Sequence, residues 1–231
     1  MIQQATTLPR AIQIPLDEVT LQGDLSLPND AKGIVIFAHG SGSSRRSPRN
    51  QFVASELTRA GLATLLFDLL TIEEEEIDEY TAAMRFNINL LADRLVGATD
   101  WVLAQKETTG LAVGYFGAST GGAAALVAAA RRPEIAKAVV SRGGRPDLAG
   151  HALPLVGAPT LLIVGGEDLP VIEMNREAMA LLRCEKRLEI VPGATHLFEE
   201  PGTLEEVARL ARAWFEERLL PARPAPAVTQ G

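Results

Sequence analysis

The sequence predicts an α/β fold: a mostly parallel central sheet with helices on both faces and no large cap domain. Three observations carry that expectation. Short apolar runs alternate with stretches of helical spacing along most of the 231 residues. Several runs, such as Gly33-Ile34-Val35-Ile36-Phe37-Ala38, are apolar at every position, as in strands covered on both faces. Another leads into Gly117-Ala118-Ser119-Thr120-Gly121 and then a run of small residues, which reads as strand, sharp turn and helix with a serine at the apex.

Each element has its own signal. Residues 11–14 and 19–27 alternate apolar and polar about Asp17-Glu18, so they read as antiparallel strands ended by Pro28-Asn29-Asp30. The strand at 33–38 ends in the loop His39-Gly40-Ser41-Gly42-Ser43-Ser44, and residues 51–59 have helical spacing closed by Gly61. Residues 62–67 form the next buried strand. The stretch 71–80, with Glu73-Glu74-Glu75-Glu76, reads as a solvated acidic connection. Helical spacing resumes over 82–105, and the strand at 111–116 leads into the serine turn and its helix. Strands at 136–141, 160–164 and 187–191 then alternate with helices at 171–182 and 204–219. The expected organisation is one domain over 1–219 and a disordered tail, rich in Pro and Ala, over 220–231.

Composition sets the outer bounds. Apolar residues make up 47% and charged residues 22%, an ordinary globular balance with ample material for a core. A net charge of −7 argues against nucleic acid or an anionic membrane as partner. The single cysteine, Cys184, excludes an intrachain disulfide and fits a reducing compartment. The N-terminus lacks a basic segment followed by an apolar one, and no apolar run approaches the ~18 residues of a membrane span. The expected location is the cytoplasm.

A serine hydroxyl is a weak nucleophile that needs a base, and the base needs an acid to orient it. Behind a G-x-S-x-G turn the chain order is serine, acid, histidine. Asp168 follows the strand at 160–164 in Gly165-Gly166-Glu167-Asp168, at the carboxyl end of a parallel strand, where active-site groups gather. Glu167 is its rival. Of the three histidines, His39, His151 and His196, only His196 lies beyond Asp168, just after the last strand. In this reading His196 lies within hydrogen-bond reach of both Ser119 and Asp168. The oxyanion donors are the N–H groups of Thr120, which follows the nucleophile, and Ser41, with Gly42 as the alternative. His39 braces that loop. Three scattered histidines and one cysteine make no zinc set, so no metal or cofactor is expected.

These strand-end signatures, in this order, make the chain similar to the α/β-hydrolase family over 11–219. It most resembles the dienelactone hydrolase-like branch. Three segments carry the resemblance: His39-Gly40-Ser41-Gly42-Ser43-Ser44-Arg45 with Ser47-Pro48-Arg49-Asn50, Gly114-Tyr115-Phe116-Gly117-Ala118-Ser119-Thr120-Gly121-Gly122, and Thr195-His196-Leu197-Phe198-Glu199-Glu200. The resemblance implies an α/β-hydrolase fold and a serine hydrolase that cleaves small carboxylic esters or lactones through an acyl-enzyme on Ser119. Dienelactone hydrolases proper carry cysteine at the nucleophile position; here Ser119 stands there, and Cys184 lies away from the turn. Members of the branch also occur joined to phosphoribosyltransferase-like domains, and no such segment is expected within these residues.

Specificity is carried by fewer signals. Arg45, Arg46 and Arg49 follow the oxyanion loop, and Arg142 and Arg145 follow the strand at 136–141. Arginines at this edge can hold a carboxylate or phosphate, or pair with Asp147, Glu199, Glu200 or the acidic run. Arg45 and Arg142 are the candidate substrate contacts. Trp101 and Trp214 fall in helices and read as packing. Two other functions use the same scaffold: a non-catalytic protein binding a small ligand or partner, and an acyltransferase with the same catalytic residues.

Overall fold

The computed structural model describes residues 8–220, whose strands follow the chain as β1 (Arg10–Pro15), β2 (Thr20–Ser26), β3 (Gly33–Ala38), β4 (Ala63–Phe67), β5 (Ala112–Ala118), β6 (Ala136–Arg142), β7 (Thr160–Gly165) and β8 (Lys186–Val191). They form one sheet in the order β1-β2-β4-β3-β5-β6-β7-β8. Strands β3 to β8 run parallel, and the β1–β2 hairpin is added antiparallel to β4 at one edge. The central strands β3, β4 and β7 are buried at every position, whereas the outer edge strand β8 carries Lys186, Arg187 and Glu189, charges that discourage pairing with another chain. The expected tail lies outside the described residues, except for Leu220.

The helices are α1 (Pro48–Arg59), α2 (Ile72–Thr81), α3 (Ile88–Ala104), α4 (Thr120–Arg131), α5 (Leu169–Leu181) and α6 (Thr203–Leu219), with a 3₁₀ segment at Pro146–Leu155. Helices α1 and α6 cover one face through Val53, Leu57, Val207 and Phe215. Helices α3 and α4 and the 3₁₀ segment cover the other through Leu91, Leu95, Leu126 and Leu153. The chain leaves β3 by α1 on the first face and leaves β5 by α4 on the second, so the strand order reverses between β3 and β5. Loops diverge at such a point and leave a crevice at the carboxyl ends of the strands.

Three segments differ from the sequence reading. Helix α1 begins at Pro48 rather than residue 51, because the Ser47 hydroxyl accepts from the Asn50 N–H (3.4 Å) and proline is already shaped for the first helical position. The acidic stretch is not a solvated connection. It is α2, started by a reciprocal cap in which Thr71 Oγ1 accepts from the Glu74 N–H and Glu74 Oε2 accepts from the Thr71 N–H. Glu74 also pairs with Arg94 of α3 (2.6 Å). The long helix expected from residue 82 starts only at Ile88, capped by Asn87, since the residues before it wrap around buried Asp78. Among the described residues no helix is long and apolar enough to cross a membrane.

Candidate active site

Ser119 sits between β5 and α4 at φ 51, ψ −123, a backbone conformation that costs a residue with a side chain. The surroundings hold it there. Its N–H donates to the Arg142 carbonyl (3.3 Å), and its own carbonyl accepts from Gly122 (2.9 Å) and Arg145 (3.1 Å). The flanking glycines are required by the close passage of backbones. A Cβ on Gly117 would overlap the carbonyl of Gly121, and one on Gly121 would overlap the carbonyl of Ala38 at the end of β3.

Asp168 follows β7 and occupies the cap position of α5, yet its side chain makes no capping bond. Aspartate there ordinarily accepts from the first N–H groups of the helix. Instead Oδ2 accepts from Nδ1 of His196 at 2.7 Å, and the carboxylate is largely buried. Because a carboxylate only accepts, this contact fixes the proton on Nδ1 and leaves the Nε2 lone pair free to act as a base. The Glu167 side chain makes no hydrogen bond among the described residues, while its N–H donates to Ala194 (3.0 Å) and locks the loops after β7 and β8 together. Glu200 accepts from the Thr195 N–H (3.1 Å) and hydroxyl (2.6 Å), steadying the residue before His196. The structure thus joins His196 to Asp168. Ser119 Oγ makes no hydrogen bond to His196 among the described residues; such contacts often tighten only when substrate arrives.

The loop after β3 abuts the serine: a Cβ on Gly40 would lie 3.0 Å from Ser119 Cβ. Thr120 is the first residue of α4, so its N–H has no acceptor within the helix. The Ser41 N–H donates to no backbone carbonyl among the described residues, and Gly42 beside it takes φ +66. His39 holds the loop from below. Its Nε2 accepts from the Leu69 N–H (3.0 Å) and its Nδ1 donates to the Gly40 carbonyl (2.9 Å). Burial pushes the pKa of this imidazole below its ordinary value, so it stays neutral. Behind the loop lies a cavity of about 280 Å³, lined by Ser41, Leu69, Leu70, Glu75 and Arg85; Ser119 and His196 stand outside it.

The arginines divide sharply. Arg45, expected as a substrate contact, is drawn to two acids: its guanidinium pairs with Asp68 and lies 3.4 Å from Asp24, and its N–H donates to Asp68 Oδ1 (2.8 Å). These contacts brace the loop between β3 and α1. Arg145 is held by both oxygens of Asp147, and Arg49 reaches Glu199 at 3.3 Å. Arg142 is buried with no carboxylate against it among the described residues, its Nη2 reaching only Asn50 Oδ1 at 3.4 Å. Trp214 is buried in α6 with Arg218 stacked on its ring, and Trp101 packs against the core under α3. Cys184 lies between α5 and β8, against Thr160. Sequence reasoning missed Asp68. It follows β4 directly, so the strand-end argument that found Asp168 would have found it too.

A family model described as the dienelactone hydrolase family matches residues 21–218. The crystal structure of a dienelactone hydrolase from Anabaena variabilis is 64% identical, covers 93% of this chain and 100% of its own, and superposes with a TM-score of 0.91. Proteins of two Mycobacterium tuberculosis strains, provisionally named as phosphoribosyl transferases, are 58% identical over 208 residues, which is 90% of this chain and 46% of theirs. The chain therefore spans about half the length of the curated relatives it matches. Est1E from Butyrivibrio proteoclasticus, in a structure with ferulic acid bound, shares 18% identity over 90% of this chain and 99% of its own with a TM-score of 0.76, a likeness of fold alone.

Proposed function

The chain belongs to the dienelactone hydrolase family, and on that premise we propose that it hydrolyses small carboxylic esters or lactones through an acyl-enzyme on Ser119. One observation carries this reading: Asp168 leaves the helix it begins uncapped and gives its carboxylate to His196 Nδ1 instead. Aspartate at the start of a helix ordinarily caps it. The phosphoribosyl transferase in the name of the Mycobacterium tuberculosis relatives is not proposed for this chain, which corresponds to 46% of their length and carries a hydrolase constellation.

The reaction follows from the assigned roles. His196 Nε2 takes the Ser119 proton as Oγ attacks the carbonyl carbon, and Asp168 steadies the imidazolium that forms. Negative charge gathers on the former carbonyl oxygen and is met by the N–H groups of Ser41 and Thr120. The tetrahedral centre collapses, His196 gives its proton to the departing alkoxide, and the acyl group stays on Ser119. Water then attacks with His196 again as base, releasing the acid and restoring the serine. The protein side of this chemistry needs no group beyond its own residues.

Intact mass after exposure to a fluorophosphonate probe tests the reading, on wild type and Ser119→Ala. A single adduct on wild type that is absent from the variant is the expected result, with a loss in kcat on an active ester of about 10⁴-fold or more. No adduct on folded wild type would overturn the assignment.

A further inference from the structure

Arg142 ends β6 and turns toward the face covered by α1 and α6, opposite Ser141, whose hydroxyl faces α4. The residue is 6% exposed, and its Nε is buried without a partner. A buried cation normally demands a carboxylate, and among the described residues Arg142 has none. Its neighbours make matters worse. Arg49 stands close enough that its charge, after burial itself, helps push the Arg142 pKa down to about 10. Arg49 has a buried, unpartnered Nε of its own, and its one acid, Glu199, is 64% exposed at 3.3 Å. Arg49 and Asn50 also lie in the first turn of α1, where the helix dipole is positive. Phe198, two residues past His196, sits under this group with its ring centroid 5.8 Å from the guanidinium carbon and adopts φ 56, a strained choice for a bulky residue. The Phe198 ring face and Asn50 Oδ1 are the neutral partners of Arg142, while the second guanidinium and the N-terminus of α1 both favour an anion beside it. The Arg142 carbonyl accepts from the Ser119 N–H, so the cluster adjoins the nucleophile's strand end.

We propose that Arg142 and Arg49, at the N-terminus of α1, form a binding subsite for a small oxyanion, a carboxylate or phosphate, borne by the substrate. The anion-binding part stands on these residues alone; its role as a substrate anchor rests on the ester-hydrolase reading. Two guanidiniums offer forked donors that match either group. The exposed Glu199 carboxylate now touching Arg49 is the contact an incoming anion would displace.

Calorimetric titration of the whole chain with inorganic phosphate, and separately with succinate, tests the site. One-to-one binding of either anion, weakened about tenfold or more in Arg142→Met, is the expected result. Binding of phosphate alone or succinate alone assigns the group. No saturable binding by wild type, or equal binding by folded Arg142→Met, overturns the subsite. Arg49→Gln supplies the same comparison if Arg142→Met does not fold. For the anchoring role, wild type should prefer p-nitrophenyl hemisuccinate over p-nitrophenyl butyrate in kcat/KM, with that preference reduced in Arg142→Met. Wild-type turnover without preference overturns a carboxylate anchor. Failure to turn over either ester overturns the ester reading and leaves the titration to decide the anion site.

Discussion

Arg45 and Arg142 stand at the same edge of one sheet, one on the loop after β3 and the other at the end of β6, and their environments are opposite. Arg45 lies between Asp68 and Asp24, and its backbone N–H is bonded to the first of them. Arg142 has a long contact to Asn50, a neighbouring cation and no acid. The first arrangement is closed in charge: two carboxylates meet the guanidinium, although its Nε makes no hydrogen bond. The second is open, with a desolvated charge left for something outside the chain to meet. A satisfied cation at an active-site rim holds the frame, and an unsatisfied one is held ready.

The largest way to break the contrast is to open the closed side. Asp68→Ala strips Arg45 of its main partner and leaves a mostly buried guanidinium and N–H unpaired, which should cost about 3 kcal/mol in urea unfolding. The converse closes the open side. Asn50→Asp puts a carboxylate where Asn50 Oδ1 now meets Arg142, in the first turn of α1 where a negative charge is favoured. It should raise stability by about 1 kcal/mol while weakening phosphate or succinate binding, so stability and anion affinity move in opposite directions. The smallest effect sharpens the comparison at His39, which shares Arg45's loop and has both ring nitrogens hydrogen-bonded. Its folded pKa is depressed by burial, so its contribution is complete above the ordinary value of 6.5 and declines as pH falls toward the lower folded value. That decline begins as pH falls below 6.5. It should appear as a difference in the pH dependence of unfolding between wild type and His39→Asn.

The sequence made most of the α/β-hydrolase scaffold legible because its strands are buried on both faces and read as unbroken apolar runs. Helix α2 was hidden by composition. Four consecutive glutamates suggested solvent, although the second of them, Glu74, stands at cap spacing from Thr71. The 3₁₀ segment has proline at its start and inside it, which obscures helical periodicity. At the site, Asp168 and His196 were legible from chain order and strand ends. The arginines could not be separated in advance, since Asp24 arrives from β2 and Asp68 from the end of β4, and only tertiary structure brings both to Arg45 and neither to Arg142.

At Gly117 and Gly121 the backbones of β3, β5 and α4 touch, and both positions are closed to any side chain. Position 119 is different, because its side chain leaves the crowded turn. The frame fixes where the side-chain atom of position 119 stands and leaves open which element that atom is. An oxygen or a sulfur fits the same apex over the same loops. A hydroxyl can be exchanged there for a thiol, with the sensitivity to oxidants that a thiol brings, while the sheet beneath stays as it was.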